Sequence, residues 1–165
     1  MLDALSKMPN EFDWTVDIIG SGSEKTAIEK QIKELGLINK VFLRGNMPFA
    51  EVFRAYESAD IFVLPSLRET SGNVLLEAMA YKLPIVALDT SFCTTLKEQG
   101  CGIFINTNQS LDKIQQGFVD AIVLLHDDEK LRLQLGENGY CYVNQELTWE
   151  RKYQKIYLTD YSKCR

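Results

Sequence analysis

The sequence predicts an α/β domain built on a doubly wound parallel sheet. Short apolar runs rich in β-branched residues alternate along the chain with segments that have the spacing of amphipathic helices. The runs are apolar almost throughout, which is typical of parallel strands that are covered on both faces. Strands joined through helices form right-handed crossovers, so the carboxyl ends of the strands meet at one edge of the sheet.

The first strand is predicted at residues 14–20, where the apolar run WTVDIIG ends in a turn of glycine and serine. A helix is predicted next, at residues 24–35, because its apolar residues lie on one helical face and Gly36 follows as a stop. The same reasoning predicts strands at residues 41–43, 61–64, 85–87 and 102–105, and helices at residues 49–59, 73–81, 111–125, 129–143 and 150–161. One or two further helical turns are expected at residues 94–99.

A length of 165 residues, with 45% hydrophobic and 25% charged residues, is typical of one globular domain with a real core. We assign residues 1–145 to a Rossmann-like domain and residues 146–165 to a C-terminal helix. Residues 2–7 look like the end of a helix that has no strand before it. A Rossmann-like sheet opens with a strand, so we expect a first βα element, and a preceding domain, upstream of this sequence.

Charge and composition disfavour several classes of protein. A net charge of -5 without a basic stretch argues against nucleic acid as a partner. No signal peptide and no run of about 18 apolar residues is visible, so no transmembrane segment is expected. The cysteines form no C-x-x-C pair and indicate reduced thiols in a cytosolic protein, without a metal site. The single histidine, His126, is expected to be solvated or to cap a helix end.

The most informative segment is PSLRETSGNVLLEAMAYKLPIVALD, which places Glu69 in a loop and Glu77 in a helix, with seven residues between them. The loop follows a strand end, where open parallel sheets bind ligands. The helix is apolar around Glu77, and a buried carboxylate needs a partner, such as a pair of ligand hydroxyls. The alternative is that Glu77 is simply a good helix former, favoured by the helix dipole.

The same helix start is a candidate phosphate site. Gly72 would allow close backbone approach, and the N–H groups of Ser71, Gly72, Asn73 and Val74 would face the cleft. The alternative reading needs no ligand, because Thr70 or Ser71 would serve equally well as an ordinary N-cap.

The turn GSGSEK that begins at Gly20 follows a strand and opens a helix, as a dinucleotide-binding loop does. The fingerprint G-x-G-x-x-G is incomplete because Lys25 stands in the place of the third glycine. The acidic residue that should follow about 20 residues later is also missing. A tight turn at Gly20 is therefore the better interpretation.

A base pocket is the second candidate at a strand end. Arg44, Asn46 and Met47 follow the second predicted strand within LRGNMP and would line such a pocket. Arg44 could equally cap a helix or pair with a surface carboxylate.

Four segments, IIGSGSE, VFLRGNMP, AYESADIFVLPSLRETSGNVLLEAMAYKLPIVALD and GCGIFI, resemble in order and spacing the C-terminal domain of family 4 retaining glycosyltransferases of the GT-B fold. These enzymes are also known as group 1 glycosyl transferases. The most specific element is the E-x7-E motif that Glu69 and Glu77 form.

The resemblance implies a function and roles for these residues. Glu77 would bind the ribose hydroxyls of a nucleotide, and Glu69 would face the donor sugar at the catalytic centre. Backbone N–H groups at Gly72, Asn73 and Val74 would contact the sugar and the diphosphate. The implied reaction is transfer of a sugar from a nucleotide sugar, with UDP the expected nucleotide, in glycan, polysaccharide or glycolipid assembly. The family usually needs no metal or other cofactor, because basic side chains and a helix N-terminus stabilise the diphosphate.

Two departures from the family bear on this expectation. The family often has a glycine pair after its P-V-V strand, where this chain has the residues from Asp89 to Cys93. The arginine and lysine that the family uses on the diphosphate, and the acceptor-binding domain, would lie upstream of Met1. The fragment alone should therefore be catalytically silent, and the full protein is expected in the cytoplasm, with peripheral membrane association allowed.

Two other functions remain open from the residues. The first is a non-catalytic nucleotide-sugar or partner-binding module that retains the fold. The second is a nicotinamide-binding Rossmann domain, which the incomplete glycine fingerprint disfavours.

Overall fold

The computed structural model describes residues 1–67 and 72–146, apart from the side chains of Phe92 and Glu146. The strands in this part are β1 Val16–Ile19, β2 Val41–Gly45, β3 Phe62–Leu64, β4 Ile85–Asp89 and β5 Gly102–Asn106. The α-helices are α1 Leu2–Leu5, α2 Lys25–Glu34, α3 Phe49–Ser58, α4 Asn73–Ala80, α5 Thr94–Glu98, α6 Leu111–Asp127 and α7 Glu129–Glu146. A 3₁₀ turn at Ser91–Cys93 leads into α5. The predicted order of strands and helices is confirmed as far as α7, and the helix predicted at residues 150–161 lies outside the described residues.

All strand pairs are parallel, as the sequence predicts. Within the described residues they form two ladders, one of β1 with β2 and one in the order β3, β4, β5. No hydrogen-bonded pairing between strands joins β1 to β3 in this part of the chain. Among the described residues, the edge of β1 away from β2 and the edge of β3 away from β4 therefore have no strand partner, and we call them the open edges.

Strand β4 lies at the centre of the larger ladder and is buried on both faces. Ile85 and Ala87 point to one face and Val86 and Leu88 to the other, and none of the four is more than 4% exposed. Successive side chains of a strand alternate between faces, so an all-apolar strand requires a helical layer on each side.

The two layers divide the helices between them. Buried residues of α1, α2 and α6 pack on the face of Val86 and Leu88. Residues of α3, α4 and α5 pack on the opposite face, with the last turns of α7 against them. The prediction of an α/β domain with both sheet faces covered is confirmed.

Helix α7 approaches the end of α4 very closely. A Cβ atom on Gly136 would lie 2.0 Å from the carbonyl oxygen of Lys82, so only glycine fits there. Next to it, Asn138 donates from Nδ2 to the carbonyl of Gly100 at 3.1 Å. The Lys82 ammonium in turn forms an ion pair with Glu137 at 2.7 Å. At Gly136 the backbone of α7 contacts the backbone just after α4, and at Gly139 the side chain of Met79 packs directly on α7.

We expect Gly136→Ala to lower the free energy of unfolding by ~1–3 kcal/mol, because the added methyl group meets backbone that cannot rotate away. This loss should exceed the gain of up to about 1 kcal/mol that alanine brings to a helix interior. Urea denaturation followed by circular dichroism measures the difference. As a control, Gly22→Ala adds a methyl group with nothing within 4 Å and should change stability by less than about 0.5 kcal/mol. A Gly136→Ala variant as stable as the parent would show that α7 does not approach α4 in this way.

The open edges predict a pattern of amide exchange. The N–H of Val16 donates to Lys40 at 2.8 Å and that of Gly20 to Gly45 at 2.8 Å. Every second residue of β1 therefore points its N–H toward β2, and Asp17 points its N–H to the other edge. On β3, the N–H of Phe62 donates to Pro84 at 3.1 Å, so the N–H of Val63 faces away from β4.

In this chain we expect the amides of Asp17 and Val63 to exchange with solvent at least about tenfold faster than those of Ile18 and Phe62. Hydrogen exchange followed by NMR resolves these neighbours. Equal protection of both sets would show that the edges of β1 and β3 are covered.

Candidate functional site

The loop that follows β3 enters α4 through Gly72. This residue has φ of 62°, in the left-handed region that glycine adopts without steric cost. It is buried, and its carbonyl accepts hydrogen bonds from the amides of Leu75 at 2.9 Å and Leu76 at 3.2 Å. Asn73 and Val74 form the exposed first turn, where helix N–H groups have no carbonyl partner within the helix. The helix start thus presents backbone donors at the carboxyl end of β3.

Glu77 lies four residues after Asn73, on the same side of α4. Its carboxylate is half-buried, and Oε2 accepts a hydrogen bond from the hydroxyl of Tyr56 at 3.2 Å. The apolar residues around Glu77 suggest that most of this helix is buried, but the structure buries a smaller part of it. Only Leu75, Ala78 and Met79 are fully buried, because α4 packs one face on β4 and α7. The partner that a buried carboxylate needs is supplied, in this structure, by a tyrosine of α3.

Tyr56 is held firmly in the last turn of α3. Only 7% of its surface is exposed, and its ring packs edge-on against Phe62 and nearly parallel to Tyr81, with ring centres 5.9 and 5.7 Å away. Burial, together with the negative charge of Glu77 and the hydrogen bond to it, raises the pKa of Tyr56 to about 12. The hydroxyl therefore keeps its proton at neutral pH and acts as the donor to Glu77.

Residues at the end of β2 and just after it line a shallow groove of about 350 Å³ between the two-stranded ladder and α3. Arg44 and Met47 contribute to it, together with Asp17 and with Glu51, Arg54, Ala55 and Ser58 of α3. Asn46 is exposed and is not among the described residues that line the groove. Arg44 and Met47 thus share an open groove, and its use as a base pocket stays a prediction.

Arg44 is already paired within this groove. Its Nε donates to Oδ1 of Asp17 at 2.9 Å, and its guanidinium lies 5.1 Å from the ring centre of Phe42. The alternative reading, in which Arg44 pairs with a surface carboxylate, is therefore what the structure shows. Both side chains are partly exposed, so the pair is screened by water and contributes little to stability.

Gly20 directly follows β1 and is exposed. Its N–H donates to the carbonyl of Gly45 at 2.8 Å, which holds the ends of β1 and β2 together. This hydrogen bond extends the ladder of β1 and β2 by one residue, and the tight turn that the sequence favours over a dinucleotide-binding loop stays a prediction.

Helix α3 connects the two groups of predicted site residues. Ala55 lines the groove beside Arg44, and the next residue, Tyr56, contacts Glu77 of α4. Glu69 and Ser71 lie outside the described residues, so their placement beside Glu77 stays a prediction.

Sequence reasoning missed two partners of the predicted site residues. Tyr56 is 21 residues from Glu77 on another helix, and no local pattern links the two. Asp17 left a clearer signal, because it is a single charge inside an apolar strand and needs a neighbouring cation.

Metal-binding clusters and membrane-spanning helices are both absent from residues 1–67 and 72–146. No group of three histidine, cysteine, aspartate or glutamate side chains in this part is arranged to hold a metal ion. None of its helices combines the length and the apolar character needed to cross a bilayer.

A family model described as glycosyl transferases, group 1, matches residues 1–141 of the chain. The lipopolysaccharide core biosynthesis glycosyltransferase LpsE of Rhizobium meliloti strain 1021 is 27% identical over 141 residues. The α-D-kanosaminyltransferase of Streptomyces kanamyceticus is 32% identical over 123 residues. These matches cover 85% and 74% of this chain, but the chain spans only 38% and 31% of the two relatives.

Solved structures show the same architecture. The C-terminal domain of the group 1 family protein LpcC from Francisella tularensis superimposes with a TM-score of 0.75 at 25% identity, covering 90% of this chain and 77% of that one. HepE of Anabaena, in complex with UDP and glucose, gives a TM-score of 0.79 at 23% identity, covering 98% of this chain and 43% of HepE. The predicted fold class, a part of a GT-B protein, is confirmed by these neighbours. Since the family model spans most of its length, the chain belongs to the group 1 glycosyl transferases.

Proposed function

We propose that this chain is the donor-binding part of a retaining glycosyltransferase and that its donor is a UDP-sugar. The observation that carries the proposal is the half-buried carboxylate of Glu77, one turn inside a helix whose first N–H groups lie at the carboxyl end of β3. Helix N-termini attract phosphate groups, and a carboxylate accepts hydrogen bonds from two adjacent hydroxyls. A nucleoside diphosphate carries both groups.

The proposed contacts on α4 follow from this placement. Glu77 binds the ribose hydroxyls, and the backbone N–H groups of Ser71, Gly72, Asn73 and Val74 bind the diphosphate and the sugar. We propose that Glu69 faces the donor sugar at the reacting carbon. No metal is assigned a role, because these N–H groups and basic side chains would balance the phosphate charge.

The base would lie toward the ends of β1 and β2. Gly20, Arg44, Asn46 and Met47 are the proposed contacts, and the groove along α3 marks the open side of this region. The choice of uracil is supported by HepE and by the pneumococcal O-GlcNAc transferase GtfA, whose structures contain UDP. Both chains have the fold described above.

The acceptor and the location are proposals for the whole protein. The relatives are longer than this chain, so we propose a separate acceptor-binding domain as its partner. Relatives named for lipopolysaccharide core biosynthesis and for monoglucosyldiacylglycerol synthesis favour a polysaccharide or lipid acceptor. We therefore propose a cytoplasmic enzyme that meets its acceptor at the inner face of a membrane.

A non-catalytic nucleotide-sugar or partner-binding module is the second candidate. It is favoured by the residues at the end of β4 and after it, which lack the two glycines common in the family. Asp89, the last residue of β4, forms an ion pair with Lys97 there. A carboxylate at this position would reshape the donor-sugar site. Sugar transfer by the longer protein, measured with UDP-sugars, would decide against the module.

We expect UDP to bind this chain in calorimetric titration and Glu77→Gln to weaken the affinity by about 10–100-fold, as loss of hydrogen bonds to a charged group does. GDP and ADP are titrated alongside to identify the base. The matched control is Glu57→Gln, which changes an exposed glutamate of α3 and should leave the affinity unchanged. Absence of binding by all three nucleotides, or equal binding by the Glu77→Gln variant, would contradict the proposed site.

A further inference from the structure

We propose that Tyr56 is a positioning residue for nucleotide binding, whose hydroxyl fixes the carboxylate of Glu77 in the orientation that accepts a vicinal diol. This inference rests on the proposed function. It adds a residue of α3 to a site that otherwise consists of residues from α4 and from the loops after the strands.

The first argument is geometric. A free glutamate samples many rotamers, and a ligand that needs one of them must freeze the rest. The hydrogen bond from Tyr56 to Oε2 of Glu77 restricts the carboxylate before any ligand arrives. In this proposal, Oε1 accepts hydrogen bonds from the ligand. Preorganisation of this kind improves affinity without a new contact to the ligand.

The second argument concerns the rigidity of Tyr56 itself. Its ring packs against Phe62 of β3 and Tyr81 after α4, and the chain passes from α3 into β3 within a few residues. Tyr81 is in turn stacked on Phe53, with ring centres 5.9 Å apart. The phenol is thus a fixed donor, held by the same strand whose carboxyl end opens into the proposed site.

The third argument concerns charge. A lysine or arginine in this place would neutralise Glu77 and compete with the ligand hydroxyls for its oxygens. A phenol is neutral at pH 7 even at its ordinary pKa of about 10, and burial and the neighbouring carboxylate raise the pKa of Tyr56 to about 12. The hydrogen bond from Tyr56 therefore brings no positive charge to Glu77, and hydrogen bonds to a charged acceptor are stronger than those to a neutral one.

The test compares two ligands in calorimetric titration of the 165-residue chain: UDP, and 2′,3′-dideoxy-UDP, which lacks the ribose hydroxyls. The ratio of their affinities reports on all contacts of the ribose hydroxyls, and Glu77→Gln shows how much of that ratio depends on Glu77. In Tyr56→Phe we expect this ratio to fall about 3–10-fold, with the affinity for dideoxy-UDP unchanged, because one hydrogen bond to the carboxylate is lost. When Tyr56→Phe is added to the Glu77→Gln variant, the ratio of the two affinities should stay as it is in Glu77→Gln alone.

Tyr81→Phe is the matched control. It also removes a hydroxyl from a tyrosine of the same aromatic cluster, but that ring contacts Tyr56 and Phe53 rather than Glu77 among the described contacts. Its affinity ratio should equal that of the parent chain. Circular dichroism before each titration shows that every variant is folded.

The possible failures are distinguishable. If the parent chain binds UDP no better than dideoxy-UDP, or binds neither, the assignment of Glu77 to ribose is wrong and the role of Tyr56 falls with it. If the parent prefers UDP and Glu77→Gln abolishes the preference, but Tyr56→Phe keeps it, the proposed function stands and the role of Tyr56 is wrong. Equal weakening of both ligands by Tyr56→Phe also overturns the inference, because it indicates only structural damage.

Discussion

Burial of β4 on both faces is the constraint on which the rest of the structure depends. Its alternating side chains leave no polar face, so each side must be covered by helices. The crossover connections place these helices on opposite faces in the order of the sequence. Because all strands of the ladder are parallel, the same constraint brings the loop after β3 and the start of α4 to one edge.

The close contact of α7 with α4 follows from that constraint and bears on the site. Helix α4 covers β4 with one face. Helix α7 lies beside α4 and contributes apolar residues to the cores on both faces of the sheet. Gly136 allows the backbone of α7 to touch Lys82 directly after α4, which fixes the carboxyl end of the helix. The aromatic rings around Tyr56 pack beside the same helix. Glu77 thus stands on a helix that is held at its carboxyl end and along one side.

The sequence predicted the fold almost completely because its signals are local. Each strand is a short apolar run, and each helix carries an apolar stripe ended by a breaker such as Gly36. The division into two ladders could not be read in this way, because strand pairing depends on which segments meet in space. The same limit applies to the site. Glu77 and Gly72 were identified from their own helix, whereas Tyr56 as a partner of Glu77 and Asp17 as a partner of Arg44 are tertiary facts.

Charge around the proposed site indicates how a diphosphate would be balanced. Arg44, itself one of the predicted base contacts, forms an ion pair with Asp17 and is half exposed. Tyr56 adds no charge to Glu77 because it stays protonated. The N-terminus of α4 offers roughly half an elementary charge, which is less than a nucleoside diphosphate requires. Glu77 itself adds a negative charge on the same helix. Further cations would therefore strengthen the binding of such a ligand, and the titration with UDP measures the affinity that this chain reaches with the groups it has.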